Sequence, residues 1–439
     1  MHLFSTPQIS KQNFFSFFIA LIPISFIAGN MIININILIL IFSSFYFFGK
    51  NIFKIRYYYL DKFIFSFFLL VLFTGIINDY KFYIEEIAWK GYWTTVIKSI
   101  LFFKYFLLYL VLRYLIENKF VNFKIFFISC FVASIFVSFD IFFQFIFGQD
   151  IFGYKDFTSG RKLSGPFGDE LIAGSYLQRF SVFSFFLIPF FYQDKFKYLL
   201  KFLVPFLFIV YSMAIILSGN RIPFLLFILL VFLILLFQKQ TRKFLFPSLV
   251  SILIIFYTLF NINISVKNNF QNFYNQIVGM SQVLINKDTE NKRSSQYLKE
   301  FSTFYHTWAM NKYIGGGIKN FRYYCHMRPN INLEKSNGFV CNMHPHNYYL
   351  EILTEVGLAG FVIVSIIFLI TLYISFIKKY FSKKNLNNNL IIPFMFLYLI
   401  EIFPLKSTGS FFTTGNTTYL FFIMGILIGL IRHENLFEK

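Results

Sequence analysis

Cys341-Asn-Met-His-Pro-His-Asn-Tyr-Tyr-Leu-Glu-Ile-Leu-Thr-Glu-Val-Gly-Leu-Ala-Gly360 closes the one long polar interval of this chain and then becomes an apolar run itself. Two histidines flank a proline, and Asn347 stands immediately before the periodic apolar residues. Asn is a preferred N-cap, so the spacing predicts a loop that delivers His346 to the start of a helix. Glu351 and Glu355 fall in its first turns, where negative charge complements the helix dipole. His346 is thereby predicted at the mouth of a membrane helix, between water and lipid.

The composition around this stretch fixes the class. Of 439 residues, 57% are hydrophobic and only 14% charged, and the mean hydropathy is +0.62. That balance belongs to an integral membrane protein. Seventy phenylalanines among many Ile, Asn and Lys fit an A/T-rich coding bias, so the aromatic abundance is read as lipid-facing bulk rather than stacking surface. The net charge of +20 does not indicate nucleic acid. Lys and Arg gather in short clusters between hydrophobic runs, the footprint of membrane topology.

Runs of about 17 to 25 apolar residues can cross a bilayer as helices, and the chain contains about twelve. They cover 13–28, 31–49, 62–78, 98–116, 121–148, 172–192, 199–218, 221–238, 243–262, 348–377, 389–404 and 417–432. The first, after Lys11, lacks a small-residue cleavage site and reads as a retained anchor. Every even-numbered connection is short and basic, as at Lys50, Lys54 and Arg56, at Lys195 and Lys197, and at Lys378 and Lys379. These connections and both termini are expected in the cytoplasm. The external connections are then 79–97, 149–171, 219–220, 263–347 and 405–416. The expected organisation is helices one to nine over 1–262, a large, partly helical external domain over 263–347, and three helices over 348–439. A connection as long as 263–347 is expected to carry function.

Arg221, in Leu217-Ser-Gly-Asn-Arg221-Ile-Pro, lies in an external turn, against the positive-inside bias. It reads either as a snorkelling interfacial residue or as a buried guanidinium that grips an anion such as phosphate. Arg161, Asp169 and Glu170 taken alone are an ordinary solvated loop. Cys325, His326, Cys341, His344 and His346 have spacing for a zinc site, but a Cys325–Cys341 disulfide in an oxidising compartment is the favoured reading. Cys130, inside an apolar run, reads as inert core. A histidine titrates near neutral pH and can take a proton from a hydroxyl. With arginines to hold a leaving diphosphate, that is what transfer from a lipid-linked phosphate needs.

His346-Asn347 followed by Gly357-x-x-Gly360 resembles the signature of the O-antigen ligase and O-antigen polymerase superfamily of bacterial envelope glycosyltransferases. The resemblance extends to Ser218-Gly-Asn-Arg221, to Trp308 through Gly315-Gly-Gly317-Ile-Lys-Asn-Phe321-Arg322, and to Arg161-Lys-Leu-Ser-Gly-Pro-Phe-Gly-Asp-Glu170. Three consecutive glycines at 315–317 depart from it, since members often carry a bulkier middle residue. The resemblance implies an all-α polytopic, class C glycosyltransferase-like fold in the bacterial inner membrane, with the active site facing the periplasm. It implies a polyprenyl-diphosphate-linked glycan as donor and a lipid A-core sugar or another glycan repeat as acceptor, with no metal or other cofactor. His346 would activate the acceptor hydroxyl. Arg221 and a second arginine, Arg293 or Arg322, would hold the diphosphate, supported by Arg161, Asn347, Glu351, Gly357 and Gly360. Ligation to lipid A-core is the expected activity, with repeat polymerisation the alternative and protein O-oligosaccharyl transfer a third. A transporter or flippase is the rival from another class. It calls for charges on several spans and half-to-half symmetry, whereas few charges, such as Asp140, interrupt the apolar runs.

Overall fold

A computed structural model describes residues 7–85, 91, 93–156, 158, 161–187, 197–237, 239–286, 296–328, 341, 344–380, 390–404, 406 and 409–435. Among these residues the chain is all-α, with one isolated bridge between Gln149 and Lys155 and no strand. Each of the twelve apolar runs contains helix. Among the described residues, seven helices are long and apolar enough to cross a membrane, or eight if the pair Leu249–Ile262 and Ile264–Gly279, bent by 103°, is one broken span. Among the described residues the expected count of twelve is not reached on length and composition.

Two of the shorter helices among the described residues are enclosed by others. Helix Ala173–Phe180 is buried along nearly its whole length, and Ile391–Glu401 likewise. A helix enclosed by other helices meets little lipid, so bilayer thickness does not set its length. The 103° bend has a local cause: Asn263 interrupts the helix, and its Oδ1 accepts the Val266 N–H at 3.0 Å to start the next one. The interval 263–347 is partly helical, with Ile264–Asn286, Gln296–Ala309 and Phe321–Met327.

The helix Tyr348–Leu372 is the structural pivot, and it is broken. Gly357 sits at φ 72°, ψ −171°, a conformation essentially reserved for glycine. The break frees backbone groups on both sides, and residues 312–317 take them up. Gly316 N–H donates to the Thr354 carbonyl at 2.9 Å and Gly317 N–H to that of Glu355 at 2.7 Å. In return, Leu358 N–H donates to the Lys312 carbonyl at 2.8 Å and Ala359 N–H to that of Tyr313 at 3.1 Å. A Cβ on Gly315 would lie 2.5 Å from the Val356 nitrogen. The triple glycine is what allows one backbone to lie directly on another; its middle member, Gly316, faces the Tyr324 ring, 2.7 Å from where a Cβ would stand.

Candidate functional site

His346 is exposed at the bend that leads into Tyr348. Asn347 caps the helix as expected: its Oδ1 accepts Tyr349 N–H at 2.9 Å and Leu350 N–H at 3.3 Å. Its Nδ2 donates to the Pro404 carbonyl at 2.8 Å and the Lys406 carbonyl at 3.4 Å, tying the histidine bend to the connection after Glu401. The His344 ring packs edge-on to His346, with centroids 5.0 Å apart. Burial, reinforced by His346, holds the His344 imidazole down to about 4, so it is neutral at neutral pH.

The two glutamates do something other than complement a dipole. Both are buried. The Glu351 carboxylate accepts from Ser410 Oγ and Phe411 N–H. Glu355 accepts Lys319 N–H at 2.7 Å and Phe321 N–H at 3.5 Å, capping helix Phe321–Met327. They fasten the first half of the broken helix to two other segments.

Directly beneath the bend lies a charged group that sequence reasoning missed. Arg179, Glu401 and Lys406 are all buried. Arg179 Nη2 donates to Glu401 Oε1 at 2.7 Å and to Asn416 Oδ1 at 2.7 Å. Tyr348 Oη donates to the same Glu401 oxygen at 2.6 Å, and Lys406 Nζ pairs with it as well. The Arg179 guanidinium also stacks on the Tyr419 ring at 4.7 Å. Burial lowers the Lys406 amine to about 7, with Glu401 opposing and Arg179 adding to the shift. Two signals were available. Arg179 is an ionisable residue within an apolar run, a functional flag by default. Lys406 contravenes the positive-inside pattern just as Arg221 does.

Arg221 opens helix Arg221–Phe237. Its Nε donates to Asn269 Oδ1 at 2.7 Å, and its guanidinium lies 5.6 Å from the centre of the Phe273 ring. Asn269 also donates to the Gly219 carbonyl at 3.0 Å, so the helix after the 103° bend holds both the turn and its arginine. A Cβ on Gly219 would lie 2.3 Å from the Arg161 carbonyl, which seats the 149–171 connection on the same turn. The Arg161 residue itself is exposed. Arg322 lies over its neighbour Tyr323 at 5.2 Å, and Arg293 falls outside the described residues.

One element links the Arg221 turn to the histidine bend. A Cβ on Gly174 would meet Ser218 Oγ at 2.5 Å and Asn220 Cβ at 2.7 Å, so the Arg221 turn packs on the start of helix Ala173–Phe180. Arg179, five residues later, reaches Tyr348, 3.4 Å away. At 1.5 Å rise per residue those two contact points are about 7.5 Å apart along the helix axis.

Cys325 and Cys341 are joined, with their Cα atoms 5.8 Å apart. Both thiols are thereby removed from the zinc set considered above. Arg328 is buried against the bridge, its Nη1 2.9 Å and 2.8 Å from the two sulfurs. Gly360, three residues past the break, faces Val356.

Residues 206–365 match the family described as O-antigen ligase. The chain carries an O-antigen ligase family domain. It spans the Arg221 turn, the triple glycine, the disulfide, His346 and the helix break, whereas Arg161, Arg179, Glu401 and Lys406 lie outside it. No curated protein matches the chain. The O-antigen ligase domain supports glycosyltransfer of the ligase or polymerase type, and the apolar helices make the chain a membrane protein.

Proposed function

We propose that this protein transfers a glycan from a polyprenyl-diphosphate carrier to an acceptor hydroxyl at the periplasmic face of the bacterial inner membrane, and that the reaction is O-antigen ligation to lipid A-core. The observation that carries the reading is the common seating of the Arg221 turn and the His346 bend on helix Ala173–Phe180. An exposed imidazole has access to an acceptor, and a partly buried guanidinium beside an aromatic ring suits a phosphate.

His346 takes the proton of the acceptor hydroxyl as its oxygen attacks the anomeric carbon of the donor sugar. The bond from that carbon to the diphosphate oxygen breaks, and the polyprenyl diphosphate leaves with the electron pair. Arg221, with Arg293 as its expected partner, stabilises the charge that gathers on the leaving group. Asn347 and the Arg179–Glu401–Lys406 group hold the histidine bend in place.

Purified protein supplied with a lipid-diphosphate glycan and lipid A-core tests this. Loss of transfer in both His346→Ala and Arg221→Ala, with folding intact, is expected; undiminished transfer would overturn the assignment. Envelope glycans of a null strain distinguish the two activities. Polymer left on its carrier marks a ligase, and single repeats on the core mark a polymerase.

A further inference from the structure

The segment that carries His346 is closed on one short helix from both ends. Upstream, Cys341 is bonded to Cys325 of helix Phe321–Met327. Downstream, Glu355 accepts Lys319 N–H at 2.7 Å and Phe321 N–H at 3.5 Å at the start of that same helix. Between the two ends, Phe304, Phe321 and Cys325 form a buried cluster, and both Cys341 and Leu350 pack against it. Leu350 lies in the first turn of the helix after His346, and its N–H is capped by Asn347. The bridge and its cluster therefore bear on both flanks of the imidazole, through the chain at Cys341 and by packing at Leu350.

His346 follows Cys341 by five residues, at most about 17 Å of extended chain. His344 lies between them, and its ring packs edge-on to that of His346. His346 is exposed, so the backbone on either side does most to set the direction of its ring. On the helix side Asn347 supplies that restraint. On the loop side the covalent link at Cys341 supplies it. Precision matters here, because a displacement of about 1 Å in a reacting group can cost on the order of 10²-fold in rate.

We propose that the Cys325–Cys341 bridge is a positioning element for His346, and that transfer depends on whether the bridge is closed. The proposal rests on the reading of His346 as the base. A dithiol opens the bridge by giving it two electrons and two protons: the cysteines become thiols and the reagent becomes its own disulfide. Glu355 still caps helix Phe321–Met327 when that happens, so the loop flank of the imidazole is released while the helix flank stays held.

The test uses the full chain in a nonionic detergent, oxidised and after dithiothreitol, beside a Cys325→Ser/Cys341→Ser variant that has no bridge to open. Transfer from the lipid-diphosphate glycan is measured below the unfolding temperature, with helical circular dichroism as the check on folding. Reduction and the serine pair are each expected to lower kcat by about tenfold or more. KM for the donor is expected to stay the same, because the Arg221 turn is held by Asn269 and not by the bridge. Amide hydrogen exchange over 344–351 is expected to quicken in both, with that of helix Ala173–Phe180 unchanged. Dithiothreitol is expected to do nothing further to the serine pair. Full kcat in the folded serine pair, unchanged exchange over 344–351, or a rise in KM alone would overturn the proposal and leave the bridge as a stabilising link only. Undiminished transfer by His346→Ala would instead overturn the reading of the base, and the exchange measurement judges the tether independently of it.

Discussion

Replacing Gly357 with alanine places a methyl group 2.3 Å from the Tyr313 carbonyl, in a backbone conformation that alanine resists. The conformation alone costs of order 1–3 kcal/mol. Relieving the clash requires residues 312–317 to lift from the helix. Four backbone hydrogen bonds cross that seam, at 2.7 to 3.1 Å, and each contributes about 1 kcal/mol net. The expected loss is about 3 kcal/mol if the segment only shifts and roughly twice that if the seam opens. Cys130 provides the assay. It is fully buried and is the one cysteine outside the disulfide, so a thiol-reactive dye reports thermal unfolding. Gly279→Ala, with nothing within 4 Å of the added methyl, is the control, and alanine is the better helix former there. A drop of several degrees in Tm is expected for Gly357→Ala alone. If the two variants unfold together with the parent protein, the seam does not hold the broken helix and the reasoning fails.

His346→Ala is expected to lower transfer by about 10²–10⁴-fold, the range of a lost general base, while leaving Tm unchanged because the residue is exposed. Glu401→Gln strands two buried cations and is expected to cost about 3–5 kcal/mol, read in the same dye assay. The His344 imidazole resists protonation until about pH 4, whereas the unfolded chain takes up that proton near 6.5. Stability therefore falls as pH drops from about 6.5 to 4, and His344→Gln is expected to flatten that slope in Tm measured against pH. Reducing the Cys325–Cys341 bridge, which closes a 16-residue separation, is expected to cost about 3 kcal/mol. A lower Tm in dithiothreitol for the parent, with no such change in a Cys325→Ser/Cys341→Ser variant, checks it.

The helical class and the cap at Asn347 were legible in the sequence because each rests on local pattern: apolar run length, and a side chain before a periodic stretch. How far each run meets lipid was not. Run length cannot separate a helix facing lipid from one such as Ala173–Phe180 that is enclosed by its neighbours. The break at Gly357 was visible only as a motif glycine, since its cause is a segment some forty residues upstream lying against it. Glu351 and Glu355 were placed in the right helix, but their partners at 410–411 and 319–321 are tertiary and carry no sequence signal. Arg179 and Lys406 were readable as misplaced charges. The rule that singled out Arg221 applied equally to them.

The charged group beneath the histidine bend also limits how this chain can be cut and recombined. Of its members only Tyr348 falls within residues 206–365; Arg179, Glu401, Lys406 and Asn416 come from either side. A chimera joined at those limits would graft the imidazole onto a host without the ions that brace it. Junctions placed before Ala173 and beyond Tyr419 would keep donor, acceptor and counter-ion in one transplanted piece.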